Sequence, residues 1–245
     1  MFNLDYVTIL LSFFPFSQNS NRSVSLSATL YTDGPEPVTY KEKPVEVEVK
    51  FLLPDVDNIR RRIASTRAIK RGRVFETNFR FDDANDNLAK NASLLRLRYD
   101  DRATLTVKTK PPKADTQFKI HNEYEVTVSD FDMMRHILEK LGFHRRQTYE
   151  KWRETFILNA THLCIDSMPF GDFLEIEGTK TAIIGVASRL GLVWDRRILL
   201  NYLEMFSIIK QHFRLSFDDV TFDNFASLQH DFRPLVEKMC VKQTS

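Results

Sequence analysis

The sequence contains few of the residues that stabilise small disulfide-rich or zinc-containing proteins. It has only two cysteines, Cys164 and Cys240, and no CxxC spacing. This disfavours both a disulfide framework and a structural zinc site. The six histidines form no HxxxH or HExxH group, which disfavours a histidine metal centre. We therefore expect a reduced, cytoplasmic protein.

The sequence also lacks an excess of either charge. Its 35 Lys and Arg residues and 33 Asp and Glu residues give a formal net charge of +2. Nucleic-acid-binding proteins usually carry a basic excess, so no nucleic-acid partner is expected. Any function that depends on charge must come from how the charges are arranged.

No apolar run in the N-terminal region is long enough to suggest a membrane-spanning helix. The stretch 6–16 (YVTILLSFFPF) is apolar but too short to cross a bilayer, and Asp5 precedes it without any Lys or Arg. We expect no membrane partner, and a disordered leader over residues 1–36 is favoured over a signal peptide. A loop rich in Asp, Gly and Pro (residues 33–37) ends this leader.

Three widespread catalytic and nucleotide-binding motifs are absent: GxSxG, GxxxxGK[ST] and GxGxxG. Neither an activated serine nucleophile nor a glycine-rich phosphate loop is therefore indicated.

The most informative stretch that is present is Val45–Phe51 (VEVEVKF). As a strand, it places Glu46, Glu48 and Lys50 on one face and apolar residues on the other, since side chains alternate with period two. The two carboxylates then lie about 6–7 Å apart along the strand. Either this face looks onto something charged, or the strand is a solvated edge with a protective charged face.

Same-sign charge pairs two residues apart recur once in each of six predicted strands. The acidic pairs are Glu46/Glu48, Glu123/Glu125 and Glu175/Glu177, and the basic pairs are Arg96/Arg98, Lys108/Lys110 and Lys151/Arg153. Because 28% of the residues are charged, one such pair alone is weak evidence. The evidence for a functional role is that such pairs recur once per strand, with apolar residues on the opposite face of each strand.

The pattern predicts seven further strands and four helices. The strands cover residues 73–82, 93–100, 104–110, 118–128, 147–158, 162–166 and 172–177. Helices are predicted from Pro54, from Ser129 until Gly142, over 181–190 and over 195–213, whereas the tail from Ser216 shows no clear period.

Charged strand faces cannot be buried without partners. If the sheet closes into a barrel, its charged faces line the interior and its apolar faces turn outward to the helices. An interior with both carboxylates and Lys or Arg suits a divalent cation together with a polyanion.

The ordered motifs resemble the CYTH superfamily, the triphosphate tunnel metalloenzymes. They are ExExK (Glu46, Glu48, Lys50), RxR, KxK, ExE, KxR and a final ExE, from about Pro44 to Lys180. That superfamily includes class IV adenylate cyclases, thiamine triphosphatases and inorganic tripolyphosphatases. The resemblance implies an α+β fold: an eight-stranded antiparallel β-barrel (tunnel) with a charged lumen and flanking helices. Residues 37–213 would form this domain with its C-terminal helices, and 214–245 a C-terminal tail.

The resemblance also implies a site. Divalent metal, Mg²⁺ or Mn²⁺, would be held by carboxylates, namely Glu46, Glu48, Glu175 and Glu177 with contributions from Glu123 and Glu125. Asp166 could assist the metal or a water, or could be an ordinary aspartate near a turn. The triphosphate would lie among catalytic cations, namely Lys50, Arg96, Arg98, Lys108, Lys110, Lys151 and Arg153.

The expected activity is metal-dependent hydrolysis of a triphosphate-containing small molecule. Class IV adenylate cyclases carry a His-Phe pair shortly before ExExK, but residues 38–43 read VTYKEK. Hydrolysis is therefore favoured over cyclisation of ATP, and a non-enzymatic polyphosphate- or nucleotide-binding module is a further alternative. The C-terminal stretch 196–213 resembles an extension of some bacterial members. It suggests a capping role or the contact of a homodimer.

Overall fold

The strands of the computed structural model, which describes residues 45–111 and 115–241, form an antiparallel sheet that closes on itself. The barrel strands are β1 (Val45–Leu52), β2 (Ile69–Asp82), β3 (Leu94–Tyr99), β4 (Ala103–Thr109), β5 (Lys119–Val128), β6 (His144–Leu158), β7 (Thr161–Met168) and β8 (Gly171–Glu177). Their order is β5-β4-β3-β2-β6-β7-β8-β1, and β1 pairs back to β5. The predicted eight-stranded barrel is confirmed. The expectations for residues 1–36 and 38–43 lie outside the described residues, and the predicted domain boundaries stay predictions.

Short helices connect and flank the strands. They are α1 (Val56–Ala64), α2 (Asn87–Lys90), α3 (Phe131–Lys140), α4 (Lys180–Arg189), α5 (Tyr202–Phe213), α6 (Phe222–Phe225) and α7 (Arg233–Glu237). The predicted start of α1 is confirmed, because the Asp55 carboxylate accepts a hydrogen bond of 2.9 Å from the Asn58 N–H. The predicted end of α3 is confirmed by Gly142, whose φ of +88° is left-handed. Within the described ranges, we find no helix with the length and apolar character needed to span a membrane.

The helix predicted over 195–213 is wrong in its first part. Residues Trp194–Arg196 form a 3-10 turn, and Arg197–Ile198 form a two-residue strand, β9, that pairs with Lys50 and Phe51 of β1. The α-helix begins only at Tyr202. Backbone pairing with a strand distant in sequence thus overrides the local helical pattern.

The apolar sides of the strands face outward, and most of them are covered by helices, whereas Tyr124 and Val126 of β5 are exposed. Val49 of β1 and Ile176 of β8 pack in one buried cluster with Ile63 of α1 and Ile183 of α4. A second cluster joins the outer faces of β2 and β3 to α3, with Phe81, Leu95, Leu97 and Leu138 at its centre. Because helices cover most of the apolar phase, the charged phase of each strand faces the barrel interior.

A third apolar cluster joins α5 to the turn between β7 and β8 and to the chain that follows α5. It includes Phe206 of α5, Phe170 of the turn, and Val220 and Phe225 of the C-terminal residues. Val220 also bonds to β6: its N–H donates to the Thr148 carbonyl over 2.8 Å, and its carbonyl accepts from the Glu150 N–H over 2.9 Å. The described part of the predicted tail therefore packs against the barrel.

Asp82, at the end of β2, gives a test of stability. Its fully buried carboxylate accepts hydrogen bonds of 2.9 Å from the N–H groups of Asp83, Leu88 and Ala89. Replacing Asp82 with Ala leaves these donors unpaired, so we expect unfolding free energy to fall by about 2–3 kcal/mol. Urea denaturation measures this loss. Asp82→Asn should lose less, and a loss under about 0.5 kcal/mol for Asp82→Ala would contradict the assignment.

Candidate active site

The barrel interior contains a cavity of about 1160 Å³. Every predicted site residue except Asp166 lines it: Glu46, Glu48, Lys50, Arg96, Arg98, Lys108, Lys110, Glu123, Glu125, Lys151, Arg153, Glu175 and Glu177. Residues from six separate strands thus line one cavity.

Strand register places opposite charges side by side in the cavity wall. Lys50 of β1 lies directly opposite Glu175 of β8, and Lys108 of β4 lies opposite Glu123 of β5. Directly opposite residues have Cβ atoms about 4.5–5.5 Å apart, which is close enough for ion pairs. Around the barrel, the three acidic pairs lie on the neighbouring strands β5, β1 and β8, and the three basic pairs lie on β6, β3 and β4, so the lumen has an acidic side and a basic side.

Glu48 and Lys50 are buried within one network. The Glu48 carboxylate lies 2.7 Å from the Lys119 Nζ and 3.3 Å from the Lys50 Nζ, and Lys50 also lies 3.0 Å from Glu175. Burial and the nearby Glu175 disfavour the charged form of Glu48, but Lys119 and Lys50 outweigh them and lower its pKa to about 2. Glu48 is therefore an ionised, acceptor-only group inside the barrel.

Glu46 is in the opposite electrostatic situation. Burial, together with repulsion from Glu48 and Glu123, raises the pKa of Glu46 to about 7, although the Lys108 Nζ lies 2.5 Å from its carboxylate. Burial also raises the pKa of Glu177, which pairs with Glu48 in the β1–β8 register. Carboxylates are thus crowded at this part of the wall.

This crowded set of oxygen donors fits a hard divalent cation, because added positive charge would offset the burial and the carboxylate repulsion that together raise the Glu46 pKa. Among residues 45–111 and 115–241, no group of three or more His, Cys, Asp or Glu side chains is already arranged to hold a metal ion. Instead, these carboxylates form ion pairs with lysines: Glu48 with Lys119 and Glu46 with Lys108. Metal binding would require these lysines to move aside.

A second part of the wall presents unsatisfied cationic donors. Arg80 of β2 and Arg96 of β3 lie directly opposite each other, and both line the cavity. The Nε of each is buried and has no hydrogen-bond partner in the described part of the chain. Another nitrogen of Arg96, Nη2, donates a hydrogen bond of 3.1 Å to the Thr106 hydroxyl and lies 3.5 Å from Glu125, and Arg80 reaches Asp82 at 3.7 Å. Two adjacent guanidinium groups in a cavity wall are suited to binding an anion.

Asp166 of β7 lies opposite Arg153 of β6 and is fully buried. Its carboxylate accepts two hydrogen bonds of 2.6 Å from Arg153, one of 3.0 Å from the Lys151 Nζ and one of 2.8 Å from the Tyr202 hydroxyl. These bonds fix the directions of two cations that line the cavity. The structure therefore places Asp166 among cations.

Several lumen residues are absent from the sequence-based prediction. Glu76 is almost fully buried 3.5 Å from Lys151, and Arg80 and Lys119 also line the cavity. On the inward face of its strand, each of these residues has neighbours that are uncharged or of opposite charge. They can be predicted from any strand face on which polar or charged residues alternate with apolar ones, but not from pairs of equal charge. Tyr202 carries no such signal, because it comes from a helix.

Residues 44–187 match the CYTH domain family. Over 172 residues the chain is 26% identical to "Putative adenylate cyclase MJ0240" of Methanocaldococcus jannaschii, covering 66% of this chain and 98% of that protein. A solved "putative adenylate cyclase" of Vibrio parahaemolyticus superposes with a TM-score of 0.58 at 21% identity, covering 66% of this chain and 97% of the other.

The PH1012 protein of Pyrococcus horikoshii superposes with a TM-score of 0.56 at 26% identity, covering 64% of this chain and 96% of the other. The Vibrio structure supports the fold alone. The family match, in contrast, spans more than half of the chain and includes all the paired-charge strands. This protein therefore belongs to the CYTH family.

Proposed function

We propose that this protein is a divalent-metal-dependent hydrolase of a triphosphate-containing small molecule, either inorganic tripolyphosphate or an organic triphosphate. The observation that carries this proposal is the pair Arg80 and Arg96, whose guanidinium donors lie on opposite residues of β2 and β3 in the wall of a cavity lined by further Lys and Arg side chains. A linear triphosphate offers many anionic oxygens in a narrow chain. It would therefore satisfy these donors together with the other cations of the lumen.

In this proposal the lumen cations bind the phosphoryl oxygens and spread the charge that develops in the transition state. They are Lys50, Arg96, Arg98, Lys108, Lys110, Lys151 and Arg153, to which the structure adds Arg80 and Lys119 as candidates. Because Lys50, Arg96 and Lys151 are buried, their charges act more strongly than they would on the surface.

Mg²⁺ or Mn²⁺ is the proposed cofactor, with Glu46, Glu48, Glu175 and Glu177 as ligands and Glu123 and Glu125 as contributors. A bound divalent ion stabilises negative charge on phosphoryl oxygens and lowers the pKa of water. Glu48 is ionised and ready to serve as a ligand at neutral pH, since its pKa is about 2. The metal role predicted for Asp166 stays a prediction, while its four hydrogen bonds support a role in positioning Arg153 and Lys151.

The proposed chemistry is attack of a water on the terminal phosphorus, in line with the departing oxygen. The bond between phosphorus and the bridging oxygen breaks, and the remaining phosphates leave. This route needs no protein nucleophile. Cys164 lines the cavity, but burial raises the pKa of its thiol to about 11, so it remains a poor nucleophile.

A second candidate function is adenylate cyclase activity, which is favoured by the name of the Methanocaldococcus relative. The same lumen would then hold ATP, and the ribose 3′-hydroxyl would attack the α-phosphorus while pyrophosphate leaves. The two activities differ in their products, so one assay distinguishes them.

The test uses the purified full chain with Mg²⁺ or Mn²⁺ and three substrates: tripolyphosphate, thiamine triphosphate and ATP. We expect release of inorganic phosphate, loss of that release with EDTA, and recovery when metal is added in excess of the chelator. Cyclic AMP as the main product of ATP would support the cyclase instead. Tight polyphosphate binding without turnover would favour a binding module and contradict the hydrolase.

A further inference from the structure

Helix α5 begins with a side chain that enters the polar network of the barrel. Asn201 and Glu204 form a reciprocal cap: the Asn201 side chain accepts from the Glu204 N–H over 2.8 Å, and the Glu204 carboxylate accepts from the Asn201 N–H over 2.7 Å. This cap fixes the first turn and hence the position of Tyr202, the first residue of the helix. The Tyr202 ring packs edge-on against Phe173 of β8, with centroids 5.4 Å apart.

The buried Tyr202 ring has two lumen ammonium groups over its face. The Nζ of Lys50 lies 4.9 Å from the ring centroid, and the Nζ of Lys151 lies 5.3 Å from it. An aromatic face attracts a cation at these distances, and the attraction is stronger where water is excluded.

The Tyr202 hydroxyl reaches a third cation through a carboxylate. It donates a hydrogen bond of 2.8 Å to Asp166 Oδ2. The same oxygen accepts hydrogen bonds of 3.0 Å from Lys151 and 2.6 Å from the Arg153 Nη2. Tyr202 thus contacts two cations directly and orients Arg153 through Asp166.

We propose that Tyr202 is a positioning residue, which holds Lys50 and Lys151 over its ring and aligns Arg153 through Asp166 for contact with phosphoryl oxygens. This inference rests on the proposed function and extends it to a residue outside the family match, which ends at residue 187. The helix that follows the matched region then completes the phosphate site as well as covering apolar surface.

Two substitutions distinguish the contribution of the Tyr202 hydroxyl from that of its ring. Tyr202→Phe removes only the hydroxyl, and Tyr202→Leu removes the ring as well while keeping an apolar side chain. The matched control is Phe206→Leu, which removes a buried ring from the same helix but leaves both ammonium contacts in place. Thermal melting checks that each variant folds.

The first readout needs neither substrate nor metal. Protons that lie over an aromatic ring are shifted upfield, so NMR of lysine ε-methylene groups should show upfield-shifted signals from Lys50 and Lys151, beside one from Lys180, which lies over the Phe118 ring. Lys50→Arg and Lys151→Arg assign the first two. We expect these two shifts to persist in Phe206→Leu and Tyr202→Phe and to disappear in Tyr202→Leu. Their persistence in Tyr202→Leu would overturn the proposal.

The second readout is kinetic. We expect kcat with tripolyphosphate to fall about tenfold in Tyr202→Phe and about a hundredfold in Tyr202→Leu, the range typical for loss of a residue that orients a functional group. KM should change less than kcat, and Phe206→Leu should keep the wild-type kcat even if its melting temperature falls. Wild-type kcat in both Tyr202 variants would overturn the proposal.

The design also separates this inference from the proposed function. If the wild-type protein turns over none of the three triphosphates, hydrolysis is contradicted. Tyr202 is then judged by the NMR shifts and by calorimetric affinity for tripolyphosphate. Weaker affinity in Tyr202→Leu than in wild type would support the positioning role. Equal affinity, or no binding by wild type, would overturn it.

Discussion

Replacing Glu48 with Gln is expected to lower metal-dependent turnover by about 10²–10³-fold, because a metal ligand contributes several kcal/mol of charge stabilisation. Glu48 is a fully ionised carboxylate within the lumen, and Gln keeps its size but cannot supply the negative charge. Lys50 retains its ion pair with Glu175 at 3.0 Å, so the barrel should still fold. Phosphate release at saturating Mg²⁺ and circular dichroism measure the two effects.

Glu154 offers a matched control for Glu48. It is also a buried carboxylate between two cations, 2.7 Å from the Arg60 Nε and 2.5 Å from the Lys70 Nζ, but it belongs to the outer phase of β6. Glu154→Gln should therefore lower the melting temperature while turnover by the folded protein is preserved. Full activity in Glu48→Gln would show that the assigned metal ligand is wrong.

Replacing Arg96 with Lys is the second substitution for which we expect a large effect. Lys keeps the positive charge but loses the planar set of guanidinium donors that Arg96 places in the cavity wall. A hydrogen bond to a charged group contributes about 1.5–3 kcal/mol, so KM for tripolyphosphate should rise about 10- to 100-fold. Initial-rate kinetics over a range of substrate concentrations measure this change.

Arg73 is the corresponding control, since it lies on the outer phase of neighbouring β2. Its guanidinium stacks on Trp152 at 4.4 Å from the ring centroid, away from the lumen. Arg73→Lys should leave KM unchanged. If both substitutions raise KM equally, or if neither does, the assignment of Arg96 to phosphate binding fails.

Much of the barrel follows from local pattern. Charged and apolar residues alternate strictly in β1, and paired charges are separated by an apolar or neutral residue in β3, β4, β5, β6 and β8. This alternation predicts which side chains point into the barrel and which point outward. The structure agrees, because Glu46, Glu48 and Lys50 line the cavity while Val49 packs under helices. Side-chain alternation is a property of the extended backbone, so it can be read from sequence without knowledge of neighbouring strands.

The missed lumen residues show where this local reading fails. Arg80 has no same-sign partner two residues away, and its position matters because it lies opposite Arg96 on another strand. Lys119 similarly gains its significance from the Glu48 carboxylate 2.7 Å away on β1. Register between strands determines both contacts, and register cannot be derived from one strand alone.

The sequence by itself determined the inward and outward phases, the class of charges in the lumen and the resemblance to the CYTH family, since these depend on spacing within single strands. Only the tertiary structure decided which charges meet, that lysines occupy the carboxylates, and that Tyr202 of α5 enters the network. The physical reason is that ion pairs and cation–aromatic contacts act over a few ångströms in space. Barrel closure and the placement of α5 bring together residues as distant in sequence as Lys50 and Tyr202.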